Sequence, residues 1–258
     1  MSLPVHVQGV DRVQAPTPPV DQRVFESDMC PDFVQKYSLK HELGAGGFGF
    51  VYSCTRRADS QTLACKFIIK AKVPKNCWTL DAQMGVCPME ALVLKNVFHL
   101  IQVQHSCIIE FVDYIQDDVY CYLITTLHGS QWGQGEVRSM DLFECIERNE
   151  KFSESQGRFV FRQIVDAVCH LYSLGLVHRD IKDENILIDD QYHIKLIDFG
   201  SVSFFDPTAS THFERFLGTI QYASPEILAG KSYHGPSAEV WSLGCCLYII
   251  LTGQVFFI

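Results

Sequence analysis

His178-Arg179-Asp180-Ile181-Lys182-Asp183-Glu184-Asn185 is a short charged run set between apolar ones, Leu171 to Val177 before it and Ile186 to Ile188 after it. A polar run of this kind is ordinarily a surface turn. Its spacing says more. Asp180 stands two positions before Lys182 and five before Asn185, so one loop can bring a carboxylate, an ammonium and an amide to one point. Asp198-Phe199-Gly200 follows thirteen residues after Asn185. That is room for a hairpin whose second strand, Ile194 to Ile197, delivers another carboxylate beside the first loop. A base, a cation and two metal-binding groups are the parts that phosphoryl transfer requires.

Toward the N-terminus, Gly44-Ala45-Gly46-Gly47-Phe48-Gly49-Phe50-Val51 fits G-x-G-x-x-G-x-V. Glycines allow backbone amides to approach phosphates without a Cβ in the way. A dinucleotide turn must open a helix, yet Phe50 to Thr55 is rich in strand-forming residues, so this loop joins two strands. Seen alone it also fits an ordinary glycine-rich hairpin. Leu63 to Ile69 reads as a buried strand with a single lysine, Lys66, inside it. Lys66 either snorkels at a sheet edge or meets a phosphate and a helix carboxylate. Glu90, 24 residues on in the helical run Met89 to Lys95, is the best such partner, with Leu94 one turn later on the same face. Pro74 to Pro88 carries no pattern that decides its structure. Ile108 to Ile115 and Val119 to Ile124 predict a hairpin around Asp117 and Asp118.

Beyond Thr125-Thr126-Leu127-His128 a glycine-containing loop, Gly129 to Gly135, marks a boundary, and from Met140 the period becomes helical. Asp141 to Ile146 predicts a short helix. Glu154 to Leu174 predicts a long one with Phe159, Ile164, Ala167, Val168 and Leu171 in the core. After Gly200 comes a polar loop to Phe216, in which Thr208, Ser210 and Thr211 are either phosphate acceptors or solvated loop residues. Trp241 to Ile258 is apolar, but Ser242, Gly244, Thr252, Gly253 and Gln254 interrupt it and no basic residues flank it. It reads as a buried helix, not a membrane anchor.

Composition narrows the classes. At 258 residues with 47% hydrophobic and 20% charged residues, the chain can bury a substantial core. A net charge of -9 speaks against nucleic acid as a main partner and suits a basic peptide. Eleven cysteines, none in Cys-x-x-Cys and several within apolar runs (Cys65, Cys121, Cys169, Cys245, Cys246), read as reduced buried thiols of a cytoplasmic or nuclear protein. The N-terminus lacks a signal-peptide pattern. Residues 1–36, with five prolines, are expected to form a flexible tail.

Taken in order, the glycine loop, Ala64-Cys65-Lys66, Glu90, the 178–185 run, Asp198-Phe199-Gly200 and Ser224-Pro225-Glu226 resemble a eukaryotic protein kinase of the serine/threonine type. His128-Gly129-Ser130, the 178–185 run, and Gly218 to Glu226 with Tyr233 to Pro236 look like the kinase domain of PAS kinases; no sensory PAS domain is seen here. The resemblance implies an α+β, two-lobed kinase-like fold, with a β-rich N-lobe over 37–127 and a helical C-lobe over 128–258. It implies ATP and Mg²⁺ as cofactors and a protein Ser or Thr hydroxyl as acceptor. By matching positions, Asp180 would take or orient the hydroxyl proton and Lys182 would steady the transferring group. Asn185 and Asp198 would hold magnesium, and Lys66, fixed by Glu90, would anchor the α- and β-phosphates. Leu43, Gly44, Gly46, Gly47, Gly49, Val51, Ala64 and Leu187 would enclose the nucleotide. Thr126 and Leu127 would offer backbone groups to adenine behind Thr125 as gatekeeper, and Asp141 would meet ribose. Glu184 and Asp141 would favour basic residues before the target, while Glu144 and Glu147 read first as a solvated helix face. His178 would stack on Phe199 as a core residue. Two departures are present: Glu239 occupies a position usually held by Asp, where PAS kinases look similar, so it is discounted; and the chain stops at Ile258 where kinases continue. The resemblance then implies a shortened C-lobe, with Glu226 lacking its usual arginine partner and the apolar face of 241–258 uncovered. The competing reading is a kinase-like protein that binds ATP or partners without turnover.

Overall fold

Order begins earlier than the strand pattern at Tyr37 indicates. In the computed structural model, which describes residues 29–99, 105–129, 140–149, 151–206, 208 and 211–254, Pro31–Lys36 forms a short helix, α1. Pro31 suits the first helical turn, where its missing N–H loses nothing. Phe33 is buried, stacking on Tyr37 at 5.4 Å and on Tyr122 at 4.8 Å between ring centroids. The tail expected over 1–36 is thus corrected at its C-terminal end. One anchoring aromatic among prolines has no period by which to recognise it. Residues 1–28 of that tail lie outside the described residues.

Strands β1 (Tyr37–Gly46), β2 (Gly49–Arg56) and β3 (Thr62–Ile69) come first. A hairpin follows, β4 (Trp78–Asp81) and β5 (Gly85–Pro88), then helix α2 (Met89–His99) and strands β6 (Phe111–Gln116) and β7 (Tyr120–Thr126). Five of these strands make an antiparallel sheet in the order β1-β2-β3-β7-β6. The period of two is visible along β3. Leu63, Cys65 and Phe67 are buried on one face with α1, while Ala64 and Lys66 are partly open on the other. The 74–88 stretch, which had no pattern, supplies the hairpin that braces α2. Asp81 meets Lys95 of α2 at 2.7 Å, and the Gln116 amide donates to the Met84 carbonyl at 3.0 Å.

The C-terminal half holds β8 (Met140–Asp141), α3 (Leu142–Asn149), α4 (Glu154–Ser173) and β9 (Leu176–Val177). After the 178–185 loop come β10 (Ile186–Ile188) and β11 (Ile194–Leu196), then β12 (Ser203–Phe204) and β13 (His212–Phe213). Helix α5 (Pro225–Leu228), strand β14 (Tyr233–His234) and helix α6 (Gly235–Thr252) complete it. Ser153 starts α4 with a capping box: its Oγ accepts from the Gln156 N–H, and the Gln156 carboxamide accepts from the Ser153 N–H. The helix exists as expected, but its core face is rotated. Val160, not Phe159, joins Ile164, Ala167, Val168 and Leu171 inside, and Phe159 is 47% exposed with its ring edge toward His193. Position 160 lies four residues before Ile164 on the same helical stripe, and 159 lies beside it. Cys169 is likewise exposed, not buried; all eleven cysteines are free thiols.

The two halves share one core. Ile68, Ala91 and Leu94 from the strand-rich half belong to the same cluster as Ile164, Ile186, Phe199 and Ile249. Backbone bonds stitch the junction: Ile109 N–H donates to Leu196 O at 3.1 Å, and Leu196 N–H to Cys107 O at 2.8 Å. No helix among the described residues is long and apolar enough to cross a membrane. The boundary loop over 130–139, Ser210, and residues 255–258 lie outside the described residues.

Candidate active site

Lys66 stands in the middle of β3, opposite Val51 on β2 and Leu123 on β7, so the sheet fixes its backbone on both sides. Its Nζ lies 2.7 Å from Glu90 Oε1 and 2.9 Å from Asp198 Oδ1. Glu90 comes from the first turn of α2 and is buried. Asp198 enters from the far side, held in the left-handed backbone region at φ 61°. Burial alone would pull the Lys66 ammonium down; Asp198 and Glu90 outweigh it and hold the lysine charged. Lys66 in turn keeps the Asp198 carboxyl at about 2. Glu90, deeper in the protein, is drawn upward by its burial against the pull of Lys66. A cation thus sits between two carboxylates of different solvation.

The 178–185 loop faces this group. Asn185 Nδ2 donates to both the Asp180 carbonyl at 2.8 Å and Asp180 Oδ2 at 3.0 Å. Asp180 Oδ1 accepts from the Thr219 hydroxyl at 2.8 Å. The carboxylate is therefore oriented through both oxygens. Lys182 Nζ is 2.8 Å from Glu184 Oε2 and 3.8 Å from Asp180 Oδ2. Burial works against its charge, but Asp180 and Glu184 raise it. Below the loop, Glu239 of α6 accepts from the backbone N–H groups of His178 and Arg179, the latter at 2.9 Å. Those two amides would otherwise be buried donors without acceptors, and Arg179 is held at φ 65°. Glutamate thus serves at a position where aspartate is usual, with its burial pushing the carboxyl up to about 7. His178 is fully buried, its ring edge-on to Phe199 at 5.0 Å and its Nε2 3.1 Å from Ile197 O. Burial lowers its pKa, which suits a packed neutral ring.

The remaining expected residues are spread over the β1–β2 turn, strands β2, β3, β7, β8 and β10, and helix α3. Gly44, Gly46 and Gly47 are exposed at the β1–β2 turn, and a Cβ on any of them would meet nothing within 4 Å. Gly49 is different: a Cβ there would fall 1.7 Å from Phe67 O, so the sheet itself demands glycine. Leu43 and Val51 are half-buried beneath the loop, and Ala64 pairs with Thr125 across β3 and β7. Thr126 N–H is committed to Glu110 O at 3.0 Å, so of the backbone groups expected there this one is taken. Leu127 is half-buried just beyond the strand. Asp141 and Leu187 are paired opposite each other on β8 and β10, and Leu187 follows Asn185 by two residues. Burial pushes the Asp141 carboxyl up to about 7, although it accepts from Glu144 N–H at 2.7 Å. Glu144 and Glu147 are exposed on α3.

Sequence reasoning assigned no role to Thr219, Tyr222 or Asp183, and set Glu239 aside. Each acts across a long separation: Thr219 reaches Asp180, and Tyr222 reaches Asp183, over 39 residues. Nothing local in the sequence signals either contact. Arg179 also has partners of its own. Its guanidinium donates to Ser201 O at 2.8 Å and lies 4.8 Å over the Phe213 ring.

Comparison with known proteins fits this geometry. Residues 37–258 match the family described as "Protein kinase domain". The PAS domain-containing serine/threonine-protein kinase of Mus musculus is 38% identical over 220 residues, 85% of this chain and 15% of that protein. Serine/threonine-protein kinase PSK2 of Saccharomyces cerevisiae is 35% identical over 83% of this chain and 18% of its own length. Serine/threonine-protein kinase ppk6 of Schizosaccharomyces pombe is 33% identical over 88% of this chain and 28% of its own. The chain therefore spans less than a third of each of these relatives. With an antiparallel sheet over a helical half and the lysine–glutamate–aspartate group between them, this chain belongs to the protein kinase family.

Proposed function

We propose that this chain transfers the γ-phosphoryl group of ATP to a Ser or Thr hydroxyl of a protein substrate. One observation carries the reading: Lys66 Nζ bridges Glu90 and Asp198 at 2.7 and 2.9 Å while Asp180, oriented by Asn185 and Thr219, stands in the adjoining loop. Lys66 holds the α- and β-phosphates, and Asp180 aligns the acceptor hydroxyl and takes its proton as the bond forms. Lys182 neutralises charge on the group in flight. Little covalent chemistry is asked of these side chains; alignment and fixed charge do the work.

Magnesium fits the donor set. Asn185 spends its amide nitrogen on Asp180, which leaves its carbonyl oxygen as a ligand atom, and Asp198 is a low-pKa carboxylate. Both are hard oxygen donors of the kind that cation prefers. When bound it supplies charge neutralisation at the β- and γ-phosphates.

A substrate with basic residues before the target is supported by Glu184 and Asp141 beside the loop, by exposed Glu144 and Glu147, and by the net charge of -9. Eleven free thiols support a reducing compartment, cytoplasmic or nuclear. The similarity to PAS kinases supports a signalling or metabolic-regulatory role.

The test is label transfer from γ-labelled ATP with Mg²⁺ to an arginine-containing serine peptide. Wild-type protein should phosphorylate the peptide, and Asp180→Ala should lower kcat about 10³-fold. Stabilisation by ATP without any transfer would overturn the reading in favour of a non-catalytic nucleotide binder.

A further inference from the structure

Two side-chain hydrogen bonds join the 180–183 loop to the 219–222 segment. Thr219 donates to Asp180 at 2.8 Å, and Tyr222 donates to Asp183 Oδ1 at 2.6 Å. Both partners are three residues further on in the second bond, so the two segments run as a ladder with two rungs. The outer rung is open at the reacting carboxylate. The inner one is closed off, with Asp183 1% and Tyr222 5% exposed.

The inner rung is tied to its surroundings on both sides. Ser242 of α6 donates to the Tyr222 carbonyl at 3.0 Å. Asp183 opens the one-turn helix Asp183–Asn185 and accepts from Glu184 N–H at 3.0 Å. Between the rungs, Ile220 is 70% exposed and Gln221 is also exposed. A buried carboxylate–phenol pair is a poor choice for stability alone, because an apolar pair of similar volume packs there without desolvating a carboxylate. What a short directional bond adds is a fixed distance and register.

We propose that the Asp183–Tyr222 bond is a positioning rung for the transfer reaction: it sets the 219–222 segment against the 180–185 loop before a peptide arrives, so that Thr219 meets Asp180. Asp183 and Tyr222 are positioning residues and touch neither nucleotide nor acceptor hydroxyl. The inference rests on the kinase reading above. It assigns the rung to the peptide half of the reaction and leaves the nucleotide half, built around Lys66 and Glu90, unaffected.

Three variants of the full chain test it, assayed well below their melting temperatures. Tyr222→Phe removes the donor, Asp183→Leu removes the acceptor, and Asp183→Asn keeps an acceptor oxygen in place. Tyr222→Phe and Asp183→Leu should each lower kcat/KM for peptide about tenfold with the KM for ATP unchanged. Asp183→Asn should stay within about twofold of wild type, and the Tyr222→Phe/Asp183→Leu double variant should be no worse than Asp183→Leu alone. Wild-type peptide kinetics in Tyr222→Phe, or equal damage from Asn and Leu at 183, would overturn the proposal. Amide exchange over 217–223 reads the rung without catalysis. Faster exchange in Tyr222→Phe is expected, and unchanged exchange contradicts the rung even if the wild-type chain transfers no phosphate, an outcome that would sink the kinase reading separately.

Discussion

The two walls of the cleft are built on opposite terms. On the strand-rich side, Gly44, Gly46 and Gly47 have open space where their side chains would be, and the loop around them is exposed. On the helical side, Gly218 has no room at all: a Cβ there would fall 2.4 Å from Arg179 O and 2.9 Å from the Phe216 ring. The carboxylates of Asp180, Asp183 and Glu239 already hold donors from their own chain. The strand-rich wall is shaped to receive something, and the helical wall is finished before anything binds. Fixed charge on one side and an open glycine turn on the other fit the transfer proposed above.

The largest expected effect probes the finished wall. Glu239→Ala leaves the His178 and Arg179 amides buried without an acceptor, and unfolding free energy should fall by about 3 kcal/mol. Glu239→Gln retains an acceptor oxygen and should lose about 1 kcal/mol or less. Denaturant titration separates them, and equal losses would remove Glu239 from its anchoring role. The glycines give the next largest effect and address both walls at once. Gly218→Ala should destabilise by about 1–3 kcal/mol through overpacking, while Gly46→Ala should change stability by less than about 0.5 kcal/mol. Melting curves check this, and similar losses at the two sites would erase the contrast.

The smallest effect concerns Asp141 on β8. Burial raises its carboxyl from 3.8 to about 7 in the folded protein. Between those values the native state keeps a proton that the unfolded chain has released, so this stability is fully present below about 4 and is lost as pH rises toward about 7. Asp141→Asn should flatten the fall in melting temperature between pH 5 and 7. Glu239, also raised to about 7, contributes a slope of the same sign that the variant leaves in place. Identical slopes in the variant and wild type would show that Asp141 does not titrate there.

Much of the cleft was legible because its parts are coded locally. The period of two along 63–67, the glycine run at 44–49 and the polar run at 178–185 each announce an element, and their order announces the fold. Lys66 and Glu90 could be paired from a strand and a helix start alone, and the structure places them 2.7 Å apart. What escaped notice is carried by distance. Thr219 and Tyr222 act over 39 residues, and the bond that Glu239, itself noticed, accepts from the Arg179 amide spans 60; no local period encodes such contacts. Phe159 and Val160 show the limit within an element: adjacent apolar residues both suit a helix, and only packing into the shared core chooses which turns inward. The α2 brace at 78–88 escaped because a four-residue hairpin strand offers too few alternations to read.

In the proposed function, Asp198 and Asn185 on one side and Lys66 on the other close around the same metal-bound nucleotide. Calorimetric titration of ATP with and without Mg²⁺ tests it directly, in wild type and in Asp198→Asn. Mg²⁺ should tighten ATP binding about tenfold or more in the wild type and less than about twofold in the variant. Equal ATP affinity in the wild type with and without Mg²⁺ would contradict it.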